Sequence, residues 1–148
     1  MLRSSAGLRV VLVISLIAAA CGGGDSGTSP SPSTSSAPYS QTDILVGTGA
    51  EATTGRPATV HYTLWLYDAG RVENKGTQIE TSVGGQPFTF TVGARQVIAG
   101  WDRGVPGMKV GGKRRLVLPP DLAYGAQANG RIPANSTLVF DIELLAVQ

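Results

Sequence analysis

The sequence predicts an α+β domain in which four to six antiparallel strands pack against one short helix. Alternation of apolar and polar residues, the pattern of a half-buried strand, recurs in four separate runs. Helical spacing appears in only one short stretch. With 20 Gly, 9 Pro and 42% hydrophobic residues among 148, the chain is too rich in helix breakers for a helical bundle and too apolar to be disordered throughout.

The predicted strands are defined by a side-chain period of two. In the first run, Val60, Tyr62 and Leu64 share one face, while the residues between them belong to the other. The four runs are residues 59–66, 88–92, 114–118 and 138–144. Because each keeps one face polar, we expect antiparallel strands with one solvated face.

The predicted helix lies between the second and third runs. Its apolar residues are Val97, Ile98, Trp101 and Val105, which are spaced i, i+1, i+4 and i+8. Gly100 and Gly104 interrupt it. A short helix can pack this stripe on the sheet, so helix and strands segregate rather than alternate as in βαβ units.

Residues 1–21 have the pattern of a signal peptide. Arg3 and Arg9 precede an uncharged stretch over 10–17, which is shorter than the ~20 residues of a transmembrane helix. Three alanines then lead to Cys21, which resembles the lipobox of bacterial lipoproteins, in which the cysteine is lipidated and becomes the N-terminus. Lipoboxes favour Leu where Ala18 stands, and ordinary signal peptidase would also accept this sequence. Both alternatives place the protein in the cell envelope, and lipidation of Cys21 would anchor it to the membrane.

Residues 22–40 are predicted to be a disordered Gly/Ser/Pro/Thr linker. They carry a single charge, Asp25, and almost no large apolar side chain, so little offsets the entropy of ordering them. The folded domain is then expected over 41–148. Without Arg3 and Arg9 the chain has ten basic and ten acidic residues, a balance that gives no electrostatic reason to bind nucleic acid.

Several site types are excluded by composition. One cysteine and one histidine cannot form an internal disulfide, a Cys/His zinc centre or a site needing two histidines, and we expect no metal or cofactor. His61 is interpreted as structural. Residues 107–113 match the Gly and Lys positions of a phosphate-binding loop, but Arg114 stands where Ser or Thr is needed, and a strand follows instead of a helix. We therefore expect a surface turn with partly solvated basic residues.

The aromatic residues are the strongest candidates for a site. Five of the nine aromatic residues come from five different predicted elements: Tyr62, Phe88, Trp101, Tyr124 and Phe140. They could converge on a pocket or simply form the core.

A series of motifs extends over nearly all of residues 42–147. In order, they are Val60–Thr63, Pro87–Gly93, Gln96–Trp101, Gly104–Lys113, Pro120–Gly125 and Ile132–Leu145. This series closely resembles the FKBP-type peptidyl-prolyl cis-trans isomerases, and with the N-terminal pattern it resembles a bacterial lipoprotein form of them. The resemblance implies a half-barrel of antiparallel strands wrapped across one short helix, with a shallow apolar pocket between sheet and helix.

The resemblance also assigns residues to this pocket. It implies a floor at Trp101, a hydrogen-bond donor in the Tyr124 hydroxyl and another in the Ile98 backbone N–H. The implied catalytic set is Tyr62, Glu80, Trp101, Tyr124 and Phe140. The implied substrate-binding set is Ile79, Phe88, Gln96, Val97, Ile98 and Ile132, with Ile132 closing a flap.

The sequence departs from the family pattern at a few positions. Ile79 and Glu80 replace a usual Phe-Asp pair, and Gln96 replaces a common Glu. We expect activity to persist, with altered substrate preference and weaker binding of rapamycin-type macrolides. The flap over 125–133 is short, and we expect a monomer.

The expected function is therefore isomerisation of X-Pro bonds in exported, proline-containing polypeptides. A proline-peptide-binding or chaperone-like module with little turnover is the alternative.

Overall fold

The fold is described here from a computed structural model, which describes residues 36–148. The predicted signal peptide, Cys21 and the linker up to residue 35 lie outside the described residues. Within them, no helix combines the length and apolar character needed to cross a membrane.

The described chain forms a six-stranded antiparallel sheet and one α-helix. This confirms the predicted fold class. The elements are β1 Ser40–Leu45, β2 Pro57–Tyr67, β3 Lys75–Thr81, β4 Phe88–Thr91, α1 Ala99–Gly104, β5 Lys113–Leu118 and β6 Leu138–Val147, with 3-10 turns at Val72–Asn74 and Pro120–Leu122. The helix is shorter than the predicted stretch, because Val97 and Ile98 precede its first turn.

Strand β2 organises the sheet, whose order is β1-β5-β6-β2-β3. Along one edge it pairs with β6 over most of its length. Along the other, its first residues pair with β4 and its later residues, from Thr63, pair with β3. Register shifts near Leu64 and Trp65 interrupt the β2–β3 ladder, as β-bulges do where a strand bends. One long strand thus carries two shorter ones along the same edge.

The helix lies unusually close to β5. A Cβ atom added at Gly104 would lie 2.6 Å from a methyl carbon of Leu116, and one added at Gly100 would overlap Leu118. Both leucines are fully buried. Only glycine leaves room for this approach, which is why the two glycines interrupt the predicted apolar stripe.

Arg114 does not lie on a partly solvated turn, as we had expected, but is buried beside the helix. Its Nε and Nη2 donate to the Asp43 carboxylate at 2.5 and 3.1 Å, and its Nη1 donates to the carbonyl oxygens of Gly104 and Pro106. This hydrogen bonding holds the pKa of Asp43 below its usual value. The correction has a simple cause: alternation places Arg114 on the same face as Leu116 and Leu118.

Four charged residues form a closed network on the outer face of the sheet. Lys75 lies 2.8 Å from both Glu73 and Asp141, and Arg115 contacts the same two carboxylates. Burial raises the pKa of Asp141, but its hydrogen bonds to Arg115 and Lys75 outweigh burial and hold the pKa below the usual value. Because the network joins β3, β5 and β6, it fixes the side of the sheet opposite the helix.

Replacing Gly100 with alanine is expected to destabilise the protein by about 1–3 kcal/mol, because the added methyl overlaps Leu118. Helix propensity alone would predict a gain of up to about 1 kcal/mol, so the sign of the change distinguishes the two effects. Urea unfolding gives the measurement. Gly85→Ala is the matched control, since its Cβ would meet only the Ser82 carbonyl oxygen at 3.6 Å. Unchanged or increased stability of Gly100→Ala would show that the contact does not restrict the helix.

Candidate active site

A cavity of about 410 Å³ opens between the sheet and the start of α1. Strands β2, β3, β4 and β6 supply one side, and the segment leading into α1 supplies the other. We call this cavity the aromatic pocket. Its lining residues are Tyr62, Leu64, Glu80, Phe88, Arg95, Gln96, Val97, Ile98, Trp101, Tyr124 and Phe140.

Trp101 forms the floor of the aromatic pocket and is only 4% exposed. The Tyr62 and Phe140 rings stand nearly perpendicular to the indole, with centroids 5.2 and 5.4 Å from it. Phe88 stands edge-on at 6.0 Å and is itself 40% exposed, so it forms the rim. Edge-to-face contacts at these separations fix each ring relative to its neighbours. The pocket is therefore a preformed surface of aromatic carbon.

The segment before α1 is held by side chains that fold back onto it. The Asp102 carboxylate accepts hydrogen bonds from the N–H groups of Gly93 and Arg95 at 2.9 and 3.0 Å. Gln96 lines the pocket, and its Oε1 accepts a hydrogen bond from the Thr91 N–H at 2.9 Å. Gln96 therefore supports the loop in addition to facing the cavity. These contacts place Val97 and Ile98 at the pocket side.

Ile98 supplies a possible polar contact within the apolar pocket. Its carbonyl accepts the Trp101 N–H at 2.9 Å, which starts the helix. Its own N–H donates to no acceptor within residues 36–148. A backbone N–H at a pocket wall can donate a hydrogen bond to a carbonyl oxygen of a bound peptide without adding charge to the site.

Two tyrosines and one carboxylate form the polar side of the aromatic pocket. Burial, followed by interaction with the Glu80 carboxylate, raises the pKa of Tyr62 to about 12. Burial, followed by the charge of Glu80, also raises the pKa of Tyr124. Both hydroxyls therefore keep their protons at neutral pH and remain hydrogen-bond donors.

Most of the predicted site residues come together, including all five aromatic residues from separate elements. Ile79 and Ile132 do not reach the aromatic pocket and instead line a neighbouring cavity. Glu80 lines both cavities, whereas Ile79 lies at the register shift of the β2–β3 ladder, where the regular alternation of side chains is interrupted. The resemblance assigned Ile79 and Ile132 to the aromatic pocket, and the structure places both in the lining of the neighbouring cavity instead.

Sequence reasoning missed two lining residues, Leu64 and Arg95. Leu64 lies two positions after Tyr62 on the same strand face, a signal that could have identified it. Arg95 lies in a loop with a φ of 58°, a conformation that alternation does not predict.

His61 lies on the strand between two inward-facing residues and does not line the pocket. Its Nδ1 is 3.1 Å from the Ser82 hydroxyl, which also accepts the Tyr62 N–H. No group of three or more potential metal ligands occurs within residues 36–148.

The domain that contains the aromatic pocket was compared with known protein families. The model of the FKBP-type peptidyl-prolyl cis-trans isomerase family matches residues 49–145. The chain belongs to this family. The resemblance seen in the motifs is thereby confirmed at the level of the domain, and the domain is a peptidyl-prolyl cis-trans isomerase.

Individual relatives agree with this assignment. An FK506-binding protein of Neisseria meningitidis serogroup A is 50% identical over 107 residues, which are 71% of this chain and 92% of the relative. The 39 kDa FK506-binding nuclear protein of Drosophila melanogaster is 46% identical over 106 residues, 71% of this chain and 28% of the relative.

Solved structures of the family share the fold. AtFKBP13 superposes with a TM-score of 0.64 at 38% identity, covering 74% of this chain and 93% of that one. FkpA from Escherichia coli gives 0.63 at 37% identity, covering 74% of this chain and 48% of its own.

The isomerase rate is expected to change by less than about twofold between pH 7 and about 9.5, because neither pocket tyrosine ionises in that range. Exchange spectroscopy on an X-Pro peptide measures this without a coupling protease. Glu80→Gln should lower the pKa of Tyr62 from about 12, although burial keeps it above the ordinary value. A fall in the kcat/KM of the native protein centred near pH 9 would contradict the prediction that both tyrosines stay protonated.

Proposed function

We propose that the aromatic pocket binds the proline of X-Pro segments in exported proteins and accelerates rotation of the bond before it. The observation that carries this is the cluster of rings around Trp101, which lines an open cavity instead of being sealed in the core. Proline is a compact apolar ring, and an aromatic floor with edge-on walls fits such a group.

The reaction needs no covalent chemistry. Rotation about a peptide bond costs ~18–20 kcal/mol because amide resonance is lost in the twisted state. The twisted amide separates less charge than the planar one, so an apolar surface favours it, and catalysis follows from this difference in binding. An acceleration of ~10⁴–10⁶-fold requires about 5–8 kcal/mol. Four rings and a few hydrogen bonds are sufficient for a difference of this size.

The polar groups of the pocket would then orient the peptide. The Ile98 N–H is a donor for a carbonyl oxygen next to the proline, and the protonated Tyr124 hydroxyl is a second donor at the rim. Burial, followed by the nearby Glu80 carboxylate, raises the pKa of both tyrosines, so their hydroxyls stay protonated. These groups bind and orient; none is required to transfer a proton.

The same pocket would accept macrolides of the FK506 and rapamycin type. The relatives are called FK506-binding proteins, and the aromatic residues that the resemblance assigns to such binding line one cavity here. Ile79 lies outside that cavity. We therefore propose that isoleucine at position 79, in place of the family's usual Phe, changes contacts with the part of a ligand outside the aromatic pocket. The ligand ring that lies over Trp101 would be less affected.

The cellular context is proposed from the N-terminal sequence. Arg3 and Arg9 beside an apolar stretch support export, and the alanines before Cys21 support lipidation of that cysteine. The linker would then hold a monomeric isomerase domain at the membrane surface, where it acts on envelope or secreted proteins.

Tyr62→Ala is expected to lower kcat/KM on an X-Pro tetrapeptide by about 10–100-fold, because the wall beside Trp101 is lost. The measurement is protease-free exchange spectroscopy, with circular dichroism to show that the variant folds. His61→Ala is the matched control: it lies on the same strand, lines no part of the pocket and should keep the rate within about twofold. Full activity in Tyr62→Ala, or an equal loss in both variants, would show that the pocket is not the site.

Cys21→Ser is expected to release the protein from membranes. If Cys21 carries lipid, the mature native chain begins at residue 21 and partitions into the detergent phase. The mass of its N-terminal peptide should then include a diacylated cysteine. The serine variant should remain in the aqueous phase with unchanged isomerase activity. An unmodified thiol on the mature native protein would reject lipidation and leave ordinary signal peptidase as the processing enzyme.

A further inference from the structure

A second cavity of about 290 Å³ adjoins the aromatic pocket. Glu80 and Tyr124 line both cavities, so the two meet at these side chains. Ile79 and Ile132 give the second cavity apolar walls, and the tip of the flap over 125–133 closes its far side. A peptide whose proline lies over Trp101 would therefore place a neighbouring side chain in or beside this second cavity.

The flap tip has its own local structure. Asn129 and Ile132 exchange two backbone hydrogen bonds of 2.9 Å around Gly130, which has a φ of 56°. This small turn can keep its shape, but these bonds do not connect it to the sheet. Its position over the second cavity must be set by other contacts.

Ile132 is 5% exposed and packs into the core, and Arg131 adds a polar connection from the flap tip to β3. Its Nη1 donates to the Ile79 carbonyl oxygen at 3.0 Å, and its Nη2 donates to the Gln78 carbonyl oxygen at 3.4 Å. Within residues 36–148, these are the only side-chain hydrogen bonds between the flap tip and β3. A planar guanidinium bonded to two successive carbonyl groups fixes both distance and orientation, which a single ammonium group does not.

We propose that Arg131 is a positioning residue that latches the flap onto β3, so that the second cavity keeps its shape and selects an apolar side chain next to the bound proline. The inference rests on the proposed binding of proline in the aromatic pocket. The walls formed by Ile79 and Ile132 explain the preference for an apolar side chain. With the latch open, only apolar packing of Ile132 holds the flap tip, so the second cavity distinguishes large from small side chains less strongly.

The test uses the mature full-length protein and two series of tetrapeptides. One series places Ala, Leu or Phe before the proline, and the other places the same residues after it. Arg131→Met keeps most of the side-chain length and removes the donors, whereas Arg131→Lys keeps the charge and one donor group. Arg71→Met is the control, because Arg71 is exposed and its side chain pairs with Asp68 in the turn between β2 and β3, away from both cavities.

In the native protein, kcat/KM should favour Leu or Phe over Ala in one of the two series. Arg131→Met should reduce this ratio by about 3–10-fold, while activity on the Ala peptide stays within about twofold. Arg131→Lys should restore part of the ratio, and Arg71→Met should match the native protein. Hydrogen exchange at the Asn129 and Ile132 amides should be faster in Arg131→Met.

Unchanged ratios in both series, or an equal loss on every peptide, would overturn the role of Arg131. So would a native protein with no preference in either series. Failure of the aromatic pocket as the proline site is distinguishable, since it would appear as full activity in Tyr62→Ala whatever the ratios in the Arg131 variants.

Discussion

The contact between α1 and β5 is the constraint on which the rest of this domain depends. Glycine at positions 100 and 104 lets the helix backbone rest directly on Leu116 and Leu118. Trp101 lies beside Gly100 and is thereby held at one fixed depth below the cavity. The rings of Tyr62, Phe88 and Phe140 are each packed against that indole. The depth of the pocket floor is thus set by the close approach of the α1 backbone to β5.

The two faces of the sheet have opposite chemistry. On the inner face of β2, Tyr62 and Leu64 line the pocket. On the outer face, Trp65 packs under Lys75, whose ammonium lies 4.4 Å from the ring centroid and belongs to the closed ion network. Charge is therefore concentrated where it ties strands together. Glu80 and Arg95 are the charged residues in the pocket lining, and the floor and most of the walls are aromatic or aliphatic, which suits a reaction favoured by low polarity.

The fold was predictable where alternation is strong. The runs that became β2, β4, β5 and β6 each alternate, and the helix is the one stretch with helical spacing. Strands β1 and β3 were not identified from pattern because they are edge strands: every residue of β1 is exposed, and β3 has no buried residue. A strand held mainly by backbone hydrogen bonds need not alternate.

The site was predictable in part. Convergence of five aromatic residues came from the family resemblance, since sequence spacing alone could not distinguish a pocket from a core. The arrangement around Glu80 could not be inferred, because it depends on which strand residues project into which cavity. The role of Arg131 left no mark in the pattern, since its partners are main-chain carbonyl groups and no complementary residue type exists to be recognised.

The burial of Arg114 also has a mechanical consequence. Strand β1 is where the N-terminal segment enters the sheet, and a chain tethered at that end would transmit any pull into Ser40. Strand β1 has a single neighbour, β5, but Arg114 additionally joins Asp43 to the carbonyl groups of Gly104 and Pro106. A load on such a tether would therefore be shared between a strand ladder and an ion pair anchored at the end of α1. The catalytic half of the domain, around Trp101 at the other end of the helix, lies outside that line of force.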